Sequence, residues 1–138
     1  MPKFPIKSTV RVRFAETDGA GIVFHANYFV YFEVARMDYY RGLGLDLKKW
    51  GEKFQIVLAE ADCRFKAPAR FEDLLEVSTR VSEIKTSSFR MEYQIDNPET
   101  QKRIAEGFTV HVFLDPKTWK PKNLPLELIQ KVKRREED

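Results

Sequence analysis

Asp18 is the residue in this 138-residue chain whose type and setting fit catalysis best. It stands in a polar, glycine-rich loop, Glu16-Thr17-Asp18-Gly19-Ala20-Gly21, and a long apolar run begins a few residues later. Gly19 and Gly21 let the backbone bend sharply, so the loop can fold back over the start of that run. If a helix begins near His25 to Asn27, its first N–H groups lack intrahelical acceptors and, with the helix dipole behind them, stabilise a negative oxygen. A carbonyl held there would be polarised, and a tetrahedral oxyanion more so; losing one such donor typically costs about 2.7 to 4 kcal/mol of barrier. Asp18 would then attack that carbonyl or deprotonate a water that does. On the residues alone a turn-capping role for Asp18 stays open, because most Asp-Gly pairs are turns.

Other candidate chemistries are thin. Cys63 is the single cysteine, which excludes an intramolecular disulfide framework and reads as a buried, inert thiol. His25 and His111 are far apart, so no protein-ligated metal is expected, and no other cofactor is called for. Glu33 and Arg36 read as a structural pair, and His111 as a structural strand residue. Gly19-Ala20-Gly21 begins like a dinucleotide fingerprint, but Phe24 stands where its third glycine belongs. The net charge of +3 is spread along the chain without a nucleic-acid motif. With no apolar stretch of 18 residues and no basic-then-apolar leader, neither membrane insertion nor secretion is expected, and the chain reads as cytoplasmic.

The elements that must position Asp18 emerge from periodicity. Ser8 to Phe14 alternates, with Val10, Val12 and Phe14 on one face, as in a half-buried strand. Asn27 to Arg41 places apolar side chains at almost every angle around a helix, which predicts burial nearly all round. Glu33 and Arg36, then Asp38 and Arg41, are spaced to pair along it, and Gly42 and Gly44 end it. The remainder reads as a meander of four longer strands: Phe54 to Phe65, Leu74 to Ile84, one carrying Phe89 to Ile95, and one carrying Ile104 to Leu114. A short helix from about Pro125 to Lys133 precedes a tail, about 134–138, expected to fray. One long helix and about five strands predict a single α+β domain over 1–138: a curved antiparallel sheet wrapped around a central helix, the hotdog arrangement. Its exposed edges predict a homo-oligomer.

The segment from Phe14 through Asp18 and His25 to Tyr28, continued by Phe29-Val-Tyr-Phe-Glu-Val-Ala-Arg36, resembles the signature of the 4-hydroxybenzoyl-CoA thioesterase family. It is most like the bacterial YbgC-type acyl-CoA thioesterases. Phe65-Lys-Ala-Pro-Ala-Arg-Phe-Glu-Asp73, Lys85-Thr-Ser-Ser-Phe89 and Asp115-Pro116 extend the likeness over nearly the whole chain. The resemblance implies a hotdog fold, dimers commonly paired into tetramers, and hydrolysis of an acyl-CoA to free acid and CoA with no cofactor. It puts the catalytic aspartate on Asp18 and the carbonyl-polarising amide on His25, whose side chain assists near the acyl group. Phe14 departs from the tyrosine of some relatives.

A CoA substrate brings a 3'-phosphate and a pyrophosphate, which call for cationic side chains and loop donors. Arg64, Lys66, Arg70, Lys85 and Arg90 are the cationic candidates, with Thr86, Ser87 and Ser88 offering hydroxyls. Two other readings are weighed beside hydrolysis: a hotdog hydratase or dehydratase using His25 and Glu33, and a non-enzymatic module that docks acyl carrier protein.

Overall fold

The computed structural model describes residues 3–53 and 55–137. Along the chain lie β1 (Ile6–Arg11), α1 (Asn27–Gly42), α2 (Leu47–Lys53), β2 (Gln55–Phe65), β3 (Leu74–Ile84), β4 (Ser88–Asn97), β5 (Lys102–Leu114) and α3 (Leu126–Glu137). One turn of 3-10 helix, Phe14–Glu16, lies between β1 and α1. The first strand therefore stops short of Phe14, which turns outward and is 74% exposed. Phe54, expected to open the second strand, lies outside the described residues, and α2 is an element that periodicity does not predict.

All strand pairings are antiparallel, in the order β1-β3-β4-β5-β2. β3, β4 and β5 form a meander, as alternation and turn residues predict. β2 departs from the expected succession: it pairs with β5, from Gln55 opposite Leu114 to Phe65 opposite Ala105, and forms one edge. Hairpins use loops of about 2 to 5 residues, whereas 66–73 is long enough to carry the chain from that edge back to β3. β1 lies against β3 at the other edge. Register shifts between Leu58 and Glu60 and between Val81 and Glu83 add local bending. The result is a curved sheet around α1, the expected hotdog fold.

α1 fills the concave face. Tyr28, Tyr31, Phe32, Ala35, Tyr39 and Tyr40 are buried, and Phe32 stacks on Tyr93 of β4 with ring centroids 4.3 Å apart. Burial all round, expected from the apolar run, does not occur within one chain: Phe29, Val30 and Val34 are 36%, 45% and 37% exposed. A single sheet can cover only the side of a helix that faces it. Asp38 and Arg41 pair at 2.8 Å as spaced, but Arg36 turns from Glu33 and donates to the Tyr93 hydroxyl at 3.2 Å.

The tail expected to fray is helical through Glu137. Glu136 fastens it, accepting from the Tyr39 hydroxyl at 2.5 Å and the Val81 N–H at 3.0 Å. On the convex face, Arg80 pairs with Glu92 at 2.6 Å and Arg103 with Asp96 and Glu106 at 2.5 and 2.9 Å, leaving that surface charged. No described helix is long and apolar enough to cross a membrane.

Candidate active site

The loop around Asp18 folds as a miniature hairpin. Phe24 N–H donates to the Glu16 carbonyl at 2.9 Å, Thr17 pairs with Val23, and Asp18 N–H donates to the Ile22 carbonyl at 2.8 Å. Gly21 takes φ +81 at its turn, a conformation that glycine adopts without Cβ strain; Gly19 needs no positive φ. The second arm is fastened to 69–70, where Val23 N–H donates to the Ala69 carbonyl at 2.8 Å and Ile22 pairs with Arg70. Asn27 closes the base, its side-chain amide donating to the Glu16 carbonyl at 2.9 Å.

Asp18 is exposed at the hairpin end. Its Oδ1 accepts from Ala20 N–H at 2.7 Å, the turn-capping contact, while Oδ2 has no hydrogen-bond partner among the described residues. At the helix start, the N–H groups of Asn27, Tyr28 and Phe29 are already taken by the carbonyls of Phe24, His25 and Ala26 at 2.9, 3.3 and 3.2 Å. The free donors therefore lie earlier than Asn27. Among the described residues, His25 and Ala26 N–H have no acceptor. With Phe24 opposite Glu16 and Ile22 opposite Asp18, Asp18 and His25 are about three strand steps apart, on the order of 10 Å between Cα atoms. That leaves room for a carboxylate, a carbonyl or water, and an N–H donor in sequence.

Beneath the hairpin Glu16 is buried. Its Oε1 accepts from Arg13 N–H at 2.9 Å and from the Tyr31 hydroxyl at 2.8 Å, and its Oε2 meets the Arg13 guanidinium at 2.7 and 2.8 Å. Burial opposes its charge, but the hydrogen bonds from Arg13 and Tyr31 outweigh it and hold the carboxyl below its usual range. Burial, with the adjacent carboxylate, pushes the Tyr31 phenol upward, so it stays a donor. The exposed His25 ring lies 4.3 Å from Phe24 and meets Phe65 edge-on at 6.5 Å. Phe14, Phe24, Phe65 and Phe71 give this end of the molecule an exposed apolar rim.

The expected CoA-binding residues separate. Arg70 is beside the Asp18 hairpin through its pairing with Ile22. Arg64 lies on the convex face near Asp62 and Glu106, at 3.6 and 3.9 Å, because alternation along β2 sends it opposite to Phe65. Lys66 reaches Glu106 at 3.8 Å, and Arg90 stacks over Phe108 at 3.8 Å, also away from Asp18. Lys85, Thr86, Ser87 and Ser88 sit at the other end of β3, roughly 30 Å along the strand. There Lys85 meets Glu83 at 3.3 Å, while the carbonyls of Thr86, Ser87 and Ser88 accept from Leu124, Phe113 and Lys85. One chain alone does not bring this loop to Asp18.

His111 is buried under α1, 2.8 Å from the Thr109 hydroxyl, and Cys63 is half-buried with its thiol pushed up to about 11, first by burial. Among the described residues no group of three or more His, Cys, Asp or Glu side chains is placed to hold a metal ion. Sequence reasoning missed Glu16, Asn27 and Tyr31 as the frame of the site. A lone acid in a polar loop and two residues in an apolar helix carry no signal of that kind until the hairpin joins them.

A family model described as the thioesterase-like superfamily matches residues 12–132. A putative esterase of Aquifex aeolicus is 33% identical over 124 residues, covering 89% of this chain and 94% of that protein. The acyl-CoA thioester hydrolase YbgC of Escherichia coli is 30% identical over 125 residues, covering 90% and 92%. Among solved structures, a thioesterase from Thermus thermophilus complexed with coenzyme A and Zn superposes with a TM-score of 0.87 at 28% identity, over 100% of this chain and 98% of that one.

Proposed function

Because the chain belongs to the thioesterase-like superfamily, we propose that it hydrolyses acyl-CoA thioesters in the cytoplasm, releasing a free acid and CoA, with Asp18 as general base or nucleophile. The observation that carries this reading is the hairpin that sets the unpaired Asp18 oxygen and the unclaimed His25 and Ala26 N–H groups at one end of α1. The thioester carbonyl accepts from the His25 amide, Asp18 or a water it activates attacks the carbon, and the tetrahedral oxyanion strengthens the same hydrogen bond before the thiolate leaves. The His25 side chain and the apolar rim flank the acyl group. The likeness to an acyl-CoA hydrolase and to a CoA-bound thioesterase supports the choice of CoA ester.

Arg70 serves the CoA phosphates from the same chain. Arg64 and Lys85 to Ser88 join it from a second copy, in a homo-oligomer of dimers or paired dimers. The apolar face of α1 and the unpaired edge of β2 are the surfaces such an assembly would cover.

Asp18→Asn tests the assignment. A folded variant is expected to lose on the order of 100-fold or more in kcat across an acyl-CoA panel; wild-type rates would refute it. A single turnover in labelled water tests for the covalent role, since water attacking the Asp18 carbonyl of an anhydride leaves solvent oxygen in Asp18, whereas a general base never acquires it.

A further inference from the structure

We infer that Glu16 is a positioning residue for the reaction proposed above, and that Tyr31 acts through it to fix the Asp18 arm of the hairpin against the His25 and Ala26 amides. This rests on assigning hydrolysis to Asp18. Glu16 touches every part that has to be held in register. Its carboxylate takes the N–H and guanidinium of Arg13, where the chain leaves β1, and the hydroxyl of Tyr31, in the second turn of α1. Its carbonyl takes Phe24 N–H from the opposite arm and the Asn27 side chain from the first turn. Asp18 is two residues further along, with one carboxylate oxygen engaged only by Ala20 of its own turn.

An exposed loop bearing a reactive carboxylate would otherwise drift relative to the helix, and a misplacement of about 1 Å can cost on the order of 100-fold in rate. The Arg13 guanidinium cannot supply the constraint alone, because its side chain is 75% exposed. Tyr31 can: it is 1% exposed and moves only with α1. The buried link therefore runs from the rigid helix, through one phenol and one carboxylate, to the backbone that carries Asp18.

Tyr31→Phe keeps the ring and removes only the hydroxyl, and Glu16→Gln keeps the shape and removes the charge. For both, kcat per folded molecule is expected to fall about tenfold or more while KM changes less than about threefold, since the link sets the geometry of attack and leaves the binding surfaces in place. Thermal melts and circular dichroism fix the folded fraction. Folded variants with wild-type kcat, or a loss confined to KM, would overturn the positioning role. Asp18→Asn, run alongside, keeps the two claims separate. If Asp18→Asn is impaired and both positioning variants are not, only the positioning role fails; if Asp18→Asn is unimpaired, the assignment beneath it fails.

Discussion

Glu16 and Asp18 are two carboxylates two residues apart with opposite surroundings. Glu16 is buried and saturated with donors, so it ties the hairpin to α1, whereas Asp18 stands in solvent with one carboxylate oxygen unpaired among the described residues. His111 is buried elsewhere, on β5 beside Thr109. Burial first, and the nearby Arg36 charge second, lower its pKa from 6.5 to about 3, which keeps the ring neutral beside Thr109. Its effect on stability has a definite sign. Between about pH 6.5 and pH 3 the unfolded chain protonates this histidine and the folded one does not, so the unfolded state binds more protons and stability falls as the pH drops through that window. Above it the contribution vanishes. In His111→Gln the difference between urea midpoints at pH 7 and pH 4.5 should be smaller than in wild type. Equal differences would show that His111 does not titrate this way.

Elements set the distances. α1 is held over the sheet by its tyrosines and by the Phe32–Tyr93 stack, and its start is fixed by Asn27 and Tyr31 through Glu16. β2 is the more delicate element, an edge strand with a register shift that pairs, among the described strands, with β5 alone. Gly107 is what lets it approach: a Cβ there would collide with the Asp62 carbonyl and crowd the Cys63 Cα. Since a backbone carbonyl cannot rotate aside as a flexible side chain could, Gly107→Ala must push β2 outward, and Phe65 with it. Overpacking of this kind costs about 1 to 3 kcal/mol. An unchanged denaturation midpoint for Gly107→Ala would mean that the two strands are not so closely apposed.

Across the whole molecule the surfaces are unequal. The convex face carries ion pairs, while the side near α1 exposes Val30, Val34, Phe24 and Phe65. Large exposed apolar patches commonly mark interfaces, and the proposed CoA site draws Lys85 from a second subunit. Light scattering of the wild type should report a mass above 16.3 kDa, and Val34→Glu should shift it toward the monomer with a parallel loss of activity; a fully active wild-type monomer would exclude the shared site. The family and the hotdog fold were legible in the sequence, because motif spacing, alternation and a long apolar helix are local patterns. So was the apolar character of α1, though not which side stays open, since that depends on where the sheet ends. Placing β2 beside β5, turning Arg64 to the convex face, sending Lys85 to Ser88 to the far end and closing Glu16 onto Tyr31 took the tertiary structure. Each joins residues distant in sequence, and their contacts depend on strand order and packing that no local periodicity encodes.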